Sequence, residues 1–228
     1  MRRFLLLMAL LVAAGCDIAP APSGAVLEAR RAFGTVVAAV EPVAEAVCQS
    51  QTSGVNCDFL IQVDPDPRAE PNAFQSVDRG GRPVILFTVA LIDSTQSADE
   101  LAFVLSHETA HHILGHLDRQ ARYAAVGAEI FGDLATLDGA SPTVVAQARE
   151  IGAAVGARSY SKDFELEADQ MGTVIAYRAG FDPLRGAEYF TRLPDPGDRF
   201  LGTHPPNAAR LWVVGETVRM MQAPGAQG

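Results

Sequence analysis

Basic side chains, cysteines and long uncharged runs are all scarce in this 228-residue chain, and each shortage removes a class of function. Lys and Arg total 18 against 27 Asp and Glu, a formal charge of −9. No basic surface can be assembled to neutralise phosphates, so nucleic acid is not an expected partner. Three cysteines and no CxxC pair argue against a cysteine-built metal site. The stretch from Arg122 to Leu137, rich in Ala, Gly and large apolar residues, is interrupted by Arg122, Glu129 and Asp133 well within the length a bilayer needs. It reads as an amphipathic helix packed on the domain or touching lipid. No long repeat is visible, and about two hundred residues suffice for one domain with a sizeable core.

What is present begins with a leader. Arg2 and Arg3 form a basic start, Phe4 to Ala14 an apolar run, and Val12-Ala13-Ala14-Gly15 a small-residue processing site ahead of Cys16. The apolar run is too short to span a bilayer comfortably. This arrangement resembles a bacterial lipobox, which implies cleavage before Cys16, lipidation of its thiol and location in the cell envelope; an uncleaved anchor is the alternative. Ala13 stands where Leu is more usual in a lipobox, and Asp17 resembles an inner-membrane retention signal. Removing residues 1–15 leaves 16 basic against 27 acidic side chains, a formal charge of −11. With Cys16 assigned to lipid, Cys48 and Cys57 remain as a pair in an oxidising compartment, and a local disulfide is expected, with free thiols or half of a metal site as the other readings.

Residues 17–25 are rich in Pro, Ala, Gly and Ser and read as a tether. A helix is expected from about Val26 to Val47, interrupted or bent near Pro42. Short strands follow at Phe59 to Val63, Ala73 to Ser76 and Pro83 to Val89, with Arg79-Gly80-Gly81-Arg82 as a tight turn. Further helices are expected from Ala98 to about Gly115, Pro142 to Ala157, Asp163 to Arg178 and Ala208 to Met221. The fold class is α+β and mainly helical: a leader over 1–15, a tether over 16–25, one domain over 26–222 and a frayed tail over 223–228.

The chemistry concentrates in His107-Glu108-Thr109-Ala110-His111. On a helix, residues four apart share a face, so His107 and His111 can converge on one metal ion while Glu108 reaches a water activated there. Ser97 and Glu100 have capping-box spacing for that helix. A catalytic zinc takes three protein ligands, so a third donor must come from elsewhere. On a continuous helix His112 lies about 140° and His116 about 180° round from His107, which excludes both from the same ion. The metzincin pattern would need Gly at 114 and His at 117, where this chain has Leu114 and Leu117. Glu165 and Asp169 are four apart on a later helix, so one carboxylate can bind metal while the other accepts a hydrogen bond from a ligand histidine.

Pro71-Asn72-Ala73-Phe74, Gly80-Gly81, Asp99 to Ala102, His107 to His111, Tyr160 to Gly172, Ala179 to Pro183 and Thr203-His204-Pro205-Pro206 with Arg210, in this order, resemble the HtpX and CAAX prenyl protease type of zinc endopeptidase, a gluzincin family. The resemblance covers about Asn72 to Arg210. It implies a zincin domain with one zinc held by His107, His111 and Glu165, Glu108 as general base, and Asp169 supporting a ligand histidine. His204 would assist the transition state, cap the zinc as a fourth ligand, or only shape a turn. Lys162 stands where many relatives carry Arg. The resemblance further implies that the edge strand at Asn72, Ala73 and Phe74 pairs with extended polypeptide substrates, which misfolded or unassembled envelope proteins would supply. A zinc-containing chaperone with a capped site and a zinc-free envelope scaffold are the competing readings.

Overall fold

The computed structural model describes residues 24–223. The expectations for residues 1–15, Cys16 and most of the tether, and for residues 224–228 of the tail, lie outside the described residues.

The first helix, α1 (Gly24–Gln51), runs through Pro42 instead of breaking there. An internal proline costs a helix about 3 kcal/mol, but Val36, Val40, Ala44, Val47 and Cys48 form a buried stripe that continues across it, and the Pro42 ring lies on the exposed face. Full burial of each large apolar side chain stabilises by about 1.5–3 kcal/mol, so the stripe outweighs the missing bond. Cys48 is disulfide-bonded to Cys57 with 5.8 Å between their Cα atoms, tying the end of α1 to the strand segment.

Strands β1 (Leu60–Asp64), β2 (Ala73–Val77) and β3 (Pro83–Thr88) form one sheet in the order β1-β3-β2. Central β3 has buried Ile85 and Phe87 on one face; it pairs parallel with β1 and antiparallel with β2. β2 is therefore an edge. Thr88 caps a short helix α2 (Val89–Ser94) by accepting from the Leu91 amide, and its hydroxyl also donates to the Glu70 carbonyl.

Helix α3 (Ala98–Ile113) is the axis of the molecule. Leu101, Ala102, Phe103 and Leu105 are fully buried, so its first half is enclosed on all sides, as in a core helix. Its start follows the capping expectation: Ser97 Oγ accepts from the Glu100 amide at 3.2 Å. The Glu100 carboxylate accepts from the Gln96 amide at 2.7 Å and is gripped by Arg192. The helix ends at Ile113, and Gly115 adopts a left-handed φ of 65° before α4 (His116–Leu137) departs in a new direction.

α4 and α5 (Pro142–Ser159) form a hairpin packed through small residues, and the charged positions noted in the sequence lie on its exposed surface. α6 (Ser161–Arg178) then returns to α3. A Cβ placed on Gly172 would lie 2.9 Å from the His107 amide nitrogen and 3.0 Å from its Cα. Glycine is thus what lets α6 approach the motif closely enough to deliver its carboxylates. Gly172→Ala is expected to destabilise by about 1–3 kcal/mol through overpacking, read in a denaturation midpoint, and to weaken metal binding in parallel. α7 (Pro183–Ala187), α8 (Tyr189–Arg192) and α9 (Asn207–Gln222) close that side. The architecture is the expected α+β one, mainly helical with a small sheet.

Candidate metal centre

Three donors converge between α3 and α6. His107 Nε2 lies 3.0 Å from His111 Nε2 and 3.6 Å from Glu165 Oε2, and His111 Nε2 lies 3.5 Å from Glu165 Oε1. A tetrahedral ion with bonds of about 2.0–2.2 Å has ligand–ligand edges of about 3.3–3.6 Å. The two histidine–carboxylate distances fall in that range and the histidine–histidine one is slightly shorter, and two imidazoles with one carboxylate are a donor set suited to zinc. One donor atom from each of the three residues lies within 4.8 Å of the other two. Glu167, two residues on, faces away from it toward His116 and Arg119.

Asp169, fully buried, accepts from His107 Nδ1 at 2.9 Å, so the proton a cation would displace is the one on Nε2, the nitrogen that faces the other donors. Arg210 from α9 holds both Asp169 oxygens at 2.7 Å and lies 3.7 Å over the Phe190 ring. Its guanidinium is 3.6 Å from Glu165 Oε2. Arg210 entered the sequence reading only as part of a motif; as a buried cation opposite two buried carboxylates, it fixes their orientation. Burial alone would lower the proton affinity of His107, yet hydrogen bonds to Asp169 and Glu165 raise its pKa to about 10. The same carboxylates favour any cation held there. Burial and the neighbouring His107 push His111 down to about 3, so it is neutral and can offer a lone pair. Glu165 is held well below its usual value by His107, His204 and Arg210 despite burial.

Glu108 lies on the cleft side of α3. Burial, opposed by His107, raises its pKa to about 7, and the Gln75 backbone amide donates toward it. The cleft, about 450 Å³, is lined by Pro71 to Gln75 on one side and by Phe164, Glu165, Tyr189 and His204 on others. In the β2–β3 ladder, Thr88 N–H donates to the Asn72 carbonyl and Asp78 N–H to the Arg82 carbonyl. Ladder bonds alternate, so the backbone groups of Asn72 and Phe74 also serve β3, whereas those of Ala73 and Gln75 turn to the free edge. Of the three residues expected on the substrate edge, Ala73 therefore turns its backbone to the free edge, and Asn72 and Phe74 direct theirs to β3.

His204 is 57% exposed, and its Nδ1 lies 3.2 Å from Glu165 Oε2. Lys162 pairs with Asp198 at 2.5 Å, so a charge contact exists there without arginine. His112 is turned away and bonds the Asn56 carbonyl at 2.8 Å. His116 departs from expectation. The helix does not continue to it: the Gly115 turn swings it back until its Nδ1 is 2.8 Å from His111 Nδ1. It lies beside the metal group without joining it. The signal was Gly115 itself, a residue that commonly ends helices.

An HExxH helix, a carboxylate donor from a later helix and a cleft beside an edge strand define a metallopeptidase domain. The chain belongs to peptidase family M48, whose family pattern matches residues 34–218. It is 36% identical over 107 residues to a Vibrio cholerae protein described as a beta-barrel assembly-enhancing protease, covering 44% of this chain and 22% of that one. A beta-barrel assembly-enhancing protease of Yersinia pestis is 30% identical over 150 residues, 58% of this chain and 29% of the relative. The mitochondrial metalloendopeptidase OMA1 of Saccharomyces cerevisiae is 29% identical over 165 residues, 66% of this chain and 44% of the relative. The chain thus spans under half the length of each of these curated relatives.

Proposed function

We propose that this chain is a zinc-dependent endopeptidase of the bacterial cell envelope, tethered by lipid on Cys16 and acting on misfolded or unassembled envelope proteins. The observation that carries this reading is the convergence of His107, His111 and Glu165 beside Glu108 in a cleft open to the β2 edge. The envelope location rests on the leader and Cys16, and the substrate class on the names of the two assembly-enhancing relatives.

Zinc on His107, His111 and Glu165 would supply the Lewis acidity that activates water and polarises the scissile carbonyl. Glu108 takes the proton from the attacking water and passes it to the leaving nitrogen. The free-edge backbone groups of Ala73 and the Gln75 carbonyl align an extended peptide by main-chain bonds, which tolerates varied side chains. His204, held through Nδ1 by Glu165, stabilises charge developing on the carbonyl. Family membership favours hydrolysis over a chaperone with a capped site.

Glu108 must be ionised to act, so activity falls as pH drops through its pKa. Burial raises that pKa to about 7, and a cation bound beside Glu108 favours its ionised form. The test is degradation of unfolded casein by the purified protein. Activity removed by a chelator and restored by stoichiometric zinc supports the reading, and chelator-insensitive cleavage or none contradicts it.

A further inference from the structure

His111 can offer only one ring nitrogen to a metal, and its other nitrogen needs a partner. A neutral imidazole carries a single N–H, so a ring presenting Nε2 as lone-pair donor keeps its proton on Nδ1. That proton points at His116 Nδ1, 2.8 Å away. His116 is 4% exposed and stacked on Phe164, with ring centroids 4.6 Å apart and planes 13° from parallel. Its Nε2 lies 3.1 Å from Glu167 Oε2, a carboxylate held by Arg119. The protonation states then follow in sequence. Glu167 can only accept, so His116 carries its proton on Nε2 and is an acceptor at Nδ1; His111 donates from Nδ1 and leaves Nε2 unprotonated.

We propose that His116 is a positioning residue that fixes the tautomer and ring orientation of His111, with Glu167 and Arg119 fixing His116 in turn. The proposal rests on the zinc site described above. It gives each ligand histidine its own support: Asp169 with Arg210 behind His107, and His116 with Glu167 and Arg119 behind His111. His116 has no direct contact with substrate to make in this role.

Zinc affinity of the full chain, measured by competition with a chromophoric chelator, tests it. His116→Phe keeps a ring to stack on Phe164 but offers no acceptor; His116→Asn restores an acceptor oxygen near the position of Nδ1. The expected result is a 10- to 100-fold loss of affinity, roughly the range for loss of such supporting contacts, in the Phe variant and recovery to within about threefold in the Asn variant. The metal-free proteins should unfold at similar temperatures. Equal affinity of His116→Phe and wild type overturns the proposal, as does equal weakness of both variants. If the Phe variant does not fold, nitrogen-15 spectra of the zinc-loaded wild type decide: a proton on His111 Nδ1 supports the relay, and a proton on Nε2 overturns it. Wild type that binds no zinc removes the metal reading itself, which separates that failure from failure of the relay.

Discussion

Glu108→Gln is expected to lower kcat on unfolded casein by about 10²–10⁴-fold, the usual range for loss of a general base, while zinc content and KM stay near wild type. The glutamine fills nearly the same volume and keeps an oxygen to accept from the Gln75 amide, so the cleft is preserved. What it loses is the capacity to take a proton. Glu108 does not belong to the converging donor group, and this separates its loss from that of a ligand. The variant is therefore the form suited to capture of substrates, since it should bind and not cut. Turnover equal to wild type would contradict the role given to Glu108.

The second large effect is expected at Glu165, 54 residues beyond His111 in the sequence yet 3.5 Å from it across the α3–α6 contact. Glu165→Ala removes the anionic donor and leaves two imidazoles beside an Arg210–Asp169 pair without net charge, so nothing replaces the lost attraction for a cation. Zinc affinity should fall by more than the roughly 10–100-fold that follows loss of a supporting contact, and casein cleavage should fall with it. Chelator competition and metal analysis after dialysis measure the first, and excess zinc should restore little. Full zinc occupancy in Glu165→Ala would mean that another group is the third donor.

Much of this was legible because local rules and the fold agree. The HExxH helix, the strands either side of the Gly80-Gly81 turn and the carboxylate pair on α6 follow from periodicity, caps and turn residues, and the order of motifs points to the family. The sheet order was not legible, because placing β3 between β1 and β2 depends on burying Ile85 and Phe87, a nonlocal matter. That α1 is not interrupted at Pro42 is nonlocal too: packing of its buried stripe outweighs a local penalty that sequence shows plainly. His116 is rightly outside the ligand set, but an angle counted along a continuous helix does not place it: at Gly115 a single left-handed residue redirects the chain and returns the ring to the site. Arg210 showed only as one position in a motif, since nothing local reveals that it sits against Asp169 from another helix.

The most direct test of the account is anomalous X-ray scattering at the zinc edge from crystals of the purified chain. It predicts one zinc ion bonded to His107 Nε2, His111 Nε2 and the Glu165 carboxylate, with Glu108 unbonded on the cleft side. An ion bound through other residues, or none in protein grown and purified with zinc, would contradict it.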